Sequence, residues 1–88
     1  MKHTTKMNKL SKAFPGVWMK DGKEFDSRHA GSIWSGEGSS MPDGLPAFDK
    51  YDYPDYVFGV HPKLHEALSK LGLFAEWYDG GTVFFYEI

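Results

Sequence analysis

The sequence predicts an α+β fold, in which a small antiparallel sheet of about four to six strands packs against one short helix near residues 62–71. The stretch "HPKLHEALSKLG" has leucines at helical spacing. Short runs rich in β-branched and aromatic residues flank it and are separated by glycine-containing turns. The length of 88 residues suits one hydrophobic core and is too short for two independent ones. We therefore expect a single domain with hairpins at both ends of the chain.

The predicted helix has clear start and stop signals. Pro62 suits the first helical position, where its missing N–H costs nothing, and Gly72 suits the left-handed position after the last turn. Leu64, Leu68 and Leu71 recur on one side, so this side is expected to pack on the sheet.

The C-terminal stretch "LFAEWYDGGTVFFYEI" predicts a hairpin that turns at Gly80-Gly81. If Asp79 lies opposite Thr82, one face of this hairpin is almost wholly apolar and should pack on the helix. The other face then carries Glu76, Tyr78 and Phe85. A mixture of carboxylates and aromatic rings is typical of a half-solvated face, so we expect these three side chains to be accessible.

The remaining elements are shorter. Residues 14–25 predict an N-terminal hairpin around Asp21-Gly22, and residues 32–35 a short strand. Residues 36–46 carry the Gly, Pro and Ser content of a long loop. The run "DYVFGV", residues 55–60, predicts a strand whose part from Val57 to Val60 is buried, with its glycine marking a bulge or a close approach of another backbone.

Charge is distributed unevenly along the chain. Residues 1–30 contain seven basic and three acidic residues, a net charge of +4, whereas residues 31–88 contain nine acidic and three basic residues, a net charge of −6. Residues 1–12 are polar and lysine-rich, which predicts a flexible basic arm preceding a single α+β domain at 13–88. An arm of this kind is a candidate for contact with nucleic acid or an acidic partner.

The stretch "FDKYDYPDYVFGVHP" combines aspartates and tyrosines just before the predicted strand. Three carboxylates cannot enter so small a core unpaired, so this segment is expected at the surface, where the aspartates satisfy turn N–H groups. Aromatic rings rimmed by carboxylates also suit a basic protein partner. The candidate partner-binding residues are Asp49, Tyr51, Asp52, Tyr53, Asp55, Tyr56, Glu76, Tyr78 and Phe85.

Two other functions remain open from the residues alone. Nucleic-acid binding would use the N-terminal lysines together with exposed aromatic rings that stack on bases. A small metal-dependent enzyme would use His61 and His65, whose i, i+4 spacing can chelate an ion, with a nearby aspartate. The zinc-protease pattern H-E-x-x-H is absent, because the glutamate follows the second histidine. We therefore expect a non-enzymatic protein that requires no metal or other cofactor.

The chain has no cysteine, no signal-peptide-like apolar run and no segment of membrane-span length. These features favour a cytoplasmic protein without membrane contact.

The segments "IWSGEGSSMPDGLPAFDKY" and "FGVHPKLHEALSKLGLFAEWYDGGTVFFY" together resemble small uncharacterised proteins encoded by bacteriophages. The resembling region covers roughly residues 33–86. The resemblance implies a phage origin, location in the host cytoplasm, and a role in host takeover or defence evasion, with a host or phage protein as partner. It assigns no catalytic or binding residue.

Overall fold

A computed structural model describes residues 2–88 and confirms the α+β class. Four antiparallel strands form one sheet: β1, Lys20–Asp21, β2, Ile33–Gly36, β3, Leu73–Trp77, and β4, Thr82–Glu87. Their order in the sheet is β1-β2-β4-β3. Two helices and two short 3-10 segments, Gly22–Glu24 and Ser27–His29, complete the domain. The helices are α1, His3–Ala13, and α2, Pro62–Lys70.

Helix α2 confirms the prediction for residues 62–71. Pro62 occupies its first turn, and the His61 side chain caps it by accepting the Lys63 N–H. Leu64 and Leu68 are buried against the sheet. Gly72 ends the helix with φ of +71°, a conformation that glycine adopts without steric cost.

The C-terminal hairpin forms, but its register differs by one residue from the expected one. The loop contains Asp79, Gly80 and Gly81, because the Tyr78 N–H bonds to the Thr82 carbonyl at 2.9 Å. A shift of one residue moves every side chain of a strand to the opposite face. Phe85 therefore pairs with Ala75 and is 0% exposed. The expectation that the Phe85 side chain is accessible was therefore wrong.

The N-terminal segment is helical where a flexible arm was expected. Helix α1 buries Leu10 in the core, with Met7 and Phe14 packed around it. Their spacing of three and four residues is that of a helix face, and this spacing outweighs the polar composition. Lys6 Nζ also lies 3.2 Å from a carboxylate oxygen of Glu87 at the end of β4.

The hairpin expected around Asp21-Gly22 does not form. The Asp21 carboxylate accepts the Lys23 N–H and thereby begins a 3-10 turn. Strand β1 pairs with β2 instead, with Lys20 opposite Trp34 and Asp21 opposite Ile33. Aspartate can begin either kind of turn, and the local side-chain bond favours the helical one here.

Residues 55–60 do not form the expected strand, so the prediction of a buried Val57–Val60 strand was wrong. Val57 and Val60 exchange two backbone hydrogen bonds, of 2.9 and 3.0 Å, across a tight turn. Phe58 and Gly59 occupy its centre with φ of +50° and +78°. The close approach of another backbone expected at Gly59 is confirmed, because a Cβ there would lie 3.3 Å from the Asp49 carbonyl oxygen. It would also lie 3.0 Å from Cζ2 of the Trp77 side chain.

The two faces of the sheet are covered differently. One face packs on both helices through a mainly aliphatic cluster. The other face carries Trp34 and Phe84, and the 3-10 segments cover it with Phe25 and His29. The buried core residues of the first face are Leu10, Val17, Ile33, Met41, Ala47, Val60, Leu64, Leu68, Leu73, Val83 and Phe85.

Candidate interaction surface

Asp49 organises the acidic loop that follows Phe48. Its carboxylate oxygen Oδ1 accepts the N–H groups of Tyr51 and Asp52, both at 3.0 Å. These two bonds, that from Asp52 first, lower the pKa of Asp49. Of the aspartates expected to satisfy turn N–H groups, Asp49 does so, whereas the carboxylates of Asp52 and Asp55 accept no hydrogen bond within residues 2–88. Asp52 and Asp55 are exposed.

The three tyrosines of this loop have different environments. Tyr51 is 89% exposed, whereas Tyr56 is 9% exposed and donates its hydroxyl to the Pro46 carbonyl at 2.6 Å. Burial, followed by the charge of neighbouring Tyr53, raises the pKa of Tyr56 to about 12. Tyr53 is half-buried and stacks on Tyr56, with ring centroids 4.9 Å apart. Tyr51 is therefore the tyrosine best placed to contact a partner.

The turn at Phe58-Gly59 presents the most exposed aromatic ring of the described residues. Phe58 is 90% exposed although its backbone is left-handed. Two consecutive positive φ values correspond to a type I′ turn, which favours Asn, Asp or Gly at the first of these positions. A bulky residue with this conformation is strained by roughly 1–3 kcal/mol. Sequence reasoning missed Phe58 because an apolar residue between valines resembles a buried strand.

Trp77 anchors both segments from the sheet. Its Nε1–H donates to the Phe58 carbonyl at 2.8 Å. The ammonium group of Lys50 lies 4.5 Å from the centre of its ring, a cation–π distance. The position of Trp77 at the end of β3 thus fixes the turn and the acidic loop relative to each other.

Two adjacent depressions lie around this tryptophan. A cleft of about 280 Å³ is bordered by Glu37, Lys50 and Trp77. A second depression of about 480 Å³ is bordered chiefly by aromatic rings, namely Tyr51, Tyr53, Tyr56, Phe58 and Trp77, with Pro54 among them. We call Tyr51, Phe58 and Trp77, with the depressions between them, the aromatic surface.

Glu76 and Tyr78 do not join the aromatic surface. They alternate with Trp77 along β3 and so point to the opposite face of the sheet. Tyr78 packs there on Phe25, with centroids 5.0 Å apart, and remains half exposed. Phe85 is in the core. The nine candidate residues of the sequence therefore do not form one continuous patch.

His61, which caps helix α2, and His65, which lies within it, have different surroundings. His61 is buried, its Nδ1 accepts the Lys63 N–H, and its Nε2 lies 2.8 Å from Oδ2 of Asp43. The acceptor role of Nδ1 places the proton of the neutral ring on Nε2, so both nitrogens are engaged. His65 borders a separate depression near Phe58. Within residues 2–88 no three metal-binding side chains come together as a site.

Helix α1 carries the lysines that were expected on a flexible arm. Lys2, Lys9 and Lys12 are exposed. Lys2 precedes the helix with an extended backbone, and the spacing of Lys9 and Lys12 places these two on one side of it. Lys6 is paired with Glu87.

In comparisons with known proteins, no protein-family model, curated protein or solved structure matches the chain. In residues 2–88, neither helix has the length and apolar character needed to cross a membrane. Function is therefore inferred from the geometry and chemistry of the surface itself.

Proposed function

We propose that this chain is a non-enzymatic interaction protein that uses the aromatic surface to bind a basic protein partner. The exposed Phe58 ring carries this proposal, because its left-handed backbone is costly and the ring gains little contact within the chain. Strain of this kind concentrates at functional positions, where the surrounding structure holds it in place.

The chemistry of the surface supports such a role. Aromatic side chains supply much of the binding free energy at protein interfaces when they are surrounded by polar groups. Tyr51 and Phe58 border the larger depression, and the carboxylates of Asp52 and Asp55 are exposed in the same loop. An acidic rim favours encounter with a basic surface and selects against acidic ones.

The partner class follows from the charge. Residues 31–88 carry a net charge of −6, so the complementary surface is lysine- or arginine-rich. Such surfaces are typical of proteins that hold nucleic acid. We therefore propose a nucleic-acid-handling protein of a bacterial host, or of a phage, as the partner.

The test is capture of proteins from bacterial extract by the immobilised chain and by two double variants. Tyr51→Ala with Phe58→Ala removes the two most exposed rings of the aromatic surface. Leu45→Ala with Ile88→Ala removes exposed apolar side chains elsewhere and is the control. We expect the unmodified chain and the control to capture the same basic proteins, and the first variant to lose them. Equal capture by all three, or capture of acidic proteins only, would contradict the proposal.

Nucleic-acid binding remains a second candidate because α1 presents Lys9 and Lys12 on one exposed side, and exposed Lys2 directly precedes the helix. Removing residues 1–12 would also remove buried Leu10, so charge reversal is the cleaner change. Binding of single-stranded DNA that weakens steeply with salt and disappears in Lys9→Glu with Lys12→Glu would support this candidate. Absence of binding at low salt would eliminate it.

A further inference from the structure

Strand β3 has one unpaired side. In the sheet formed by residues 2–88 it pairs with β4 alone, so its other side is an edge. The Tyr78 N–H bonds to Thr82 and the Ile88 N–H to Gly72, which shows that the even-numbered residues of this segment face β4. Hydrogen bonding alternates along an antiparallel pair. The N–H and C=O groups of Leu73, Ala75 and Trp77 therefore point outward.

This edge lacks the usual protection against pairing. Natural edge strands are commonly shortened, or carry lysine, proline or a bulge. At the other edge, β1 contains two residues, one of them Lys20. Strand β3 has five residues, "LFAEW", with neither lysine nor proline. Among the backbone hydrogen bonds of residues 2–88, none reaches the outward groups of Ala75 and Trp77.

A depression of about 220 Å³ runs beside the same edge. Phe74 and Ala75 both border it although consecutive side chains of a strand point to opposite faces, so it must lie along the strand edge. Its other walls come from α2 and from the turn, and they are mostly apolar: Val57, Phe58, Val60 and His65. The Phe58 ring also borders the 480 Å³ depression, so the edge and the aromatic surface are continuous.

We propose that the β3 edge binds an extended basic segment of a partner protein, which adds a fifth strand to the sheet. That this segment is basic rests on the function proposed above. Outward backbone groups of Ala75 and Trp77 pair with the segment, and one of its apolar side chains fills the 220 Å³ depression. The occupant is basic because exposed Glu76 lies on the strand itself and exposed Asp79 follows it. Lys50, which borders the neighbouring cleft, is held against Trp77.

Amide hydrogen exchange of the full chain tests this pairing directly. The probe is a peptide of alternating lysine and valine, about ten residues long, enough to span the strand. In the free protein the Ala75 and Trp77 amides should exchange much faster than that of Glu76, which faces β4. Bound peptide should slow exchange at Ala75 and Trp77 by at least about tenfold and leave Glu76 little changed.

Two controls separate charge from backbone pairing. An alternating glutamate–valine peptide of equal length should bind at least about tenfold more weakly, because its charges face an acidic surface. Ala75→Pro removes one outward N–H without removing a β3–β4 bond, since proline is tolerated on edge strands. This variant should lower affinity for the lysine–valine peptide about tenfold, whereas Ala75→Ser, which keeps the N–H, should stay within about twofold. If Ala75→Pro does not fold, the exchange data on the unmodified chain decide whether the peptide pairs with the backbone of β3.

The outcomes are distinct. Protection of Ala75 and Trp77 by the lysine–valine peptide supports strand addition. Binding that leaves these amides unprotected overturns it while the proposed function stands, and absence of binding overturns it whatever the capture experiment shows. Protection that appears without peptide and grows with protein concentration assigns the edge to a second copy of the chain, and so overturns a partner protein as occupant.

Discussion

Two aromatic regions of this molecule use the same residue types in opposite ways. We call the face of the sheet opposite the two helices, which carries Trp34 and Phe84, the outer face. There Phe25 lies 5.0–5.4 Å, centroid to centroid, from four rings: His29, Trp34, Tyr78 and Phe84. All four contacts are edge-on, the geometry that ring quadrupoles favour. On the aromatic surface, Phe58 has no ring partner within residues 2–88 and is 90% exposed.

The contrast distinguishes rings that hold the fold from rings that are available to a partner. Phe84 is 1% exposed and stacks on His29 with centroids 4.0 Å apart, so its burial stabilises the sheet. The Phe58 side chain gains no such burial, and its backbone is strained as well. The strained backbone at Phe58 therefore lowers stability, and burial of its ring within the chain does not compensate for this loss.

The largest expected effect is on the buried side of this comparison. Phe84→Ala should lower the free energy of unfolding by about 3–5 kcal/mol, because it removes a fully buried ring and leaves a cavity beneath Phe25 and His29. Phe58→Ala is the matched change on the exposed side and should lower it by less than about 0.5 kcal/mol. Urea unfolding followed by circular dichroism measures both. Equal losses would mean that the two rings contribute alike to the fold.

A smaller effect should appear in acid, because the outer face also depends on a charged group. Asp26 Oδ1 lies 2.6 Å from His29 Nδ1. This hydrogen bond, followed by that of Arg28, lowers the pKa of Asp26. A carboxyl with a lowered folded-state pKa contributes stability above its unfolded value of about 3.9, and this stability is lost as the pH falls through the folded-state pKa.

Asp26→Asn should therefore reduce stability at pH 7 and flatten the loss of stability below about pH 4. The asparagine oxygen can still accept the Arg28 N–H, so the 3-10 turn is retained. Asp52→Asn is the control: this carboxylate is exposed and makes no hydrogen bond within residues 2–88. The control should change stability by less than about 0.5 kcal/mol and leave the acid profile unaltered. Thermal melts from pH 2 to 7 compare them, and identical profiles for Asp26→Asn and the unmodified chain would exclude Asp26 as a contributor.

The elements that the sequence predicted well are those with strong local signals. Pro62 and Gly72 bound helix α2 in the sequence as they do in the structure. The C-terminal hairpin was also expected, but two glycines after Asp79 permit loops of two or three residues. The three-residue loop forms, and this single choice moved Phe85 into the core and Phe84 to the outer face.

The candidate site was predicted less well, because it depends on contacts between distant segments. Asp49 and Tyr51 were placed at the surface by the acidic composition of their loop. The exposure of Phe58 depends on a turn held by the Trp77 indole, 19 positions along the chain, and no local pattern shows that contact. A residue between two valines with a glycine after it fits a strand and a type I′ turn equally well.

The last expected effect is small in free energy but informative, because one substitution, Phe58→Asn, should raise stability and lower binding. Phe58→Asn should raise the free energy of unfolding by about 1 kcal/mol, since asparagine accepts the left-handed conformation far better than phenylalanine. If the unmodified chain captures basic proteins as proposed, the same variant should no longer capture them. Urea titration and capture from extract measure the two properties.

Phe58→Ala separates the two causes. Alanine also lacks the ring but does not share the preference of asparagine for positive φ, so it should lose binding without the gain in stability. A strained aromatic residue kept for binding is expected to show this trade between stability and function. If Phe58→Asn lowers stability instead, the ring contributes packing to the folded chain. Phe58 would then belong with Phe84 among the structural rings, and the aromatic surface would lose its central anchor.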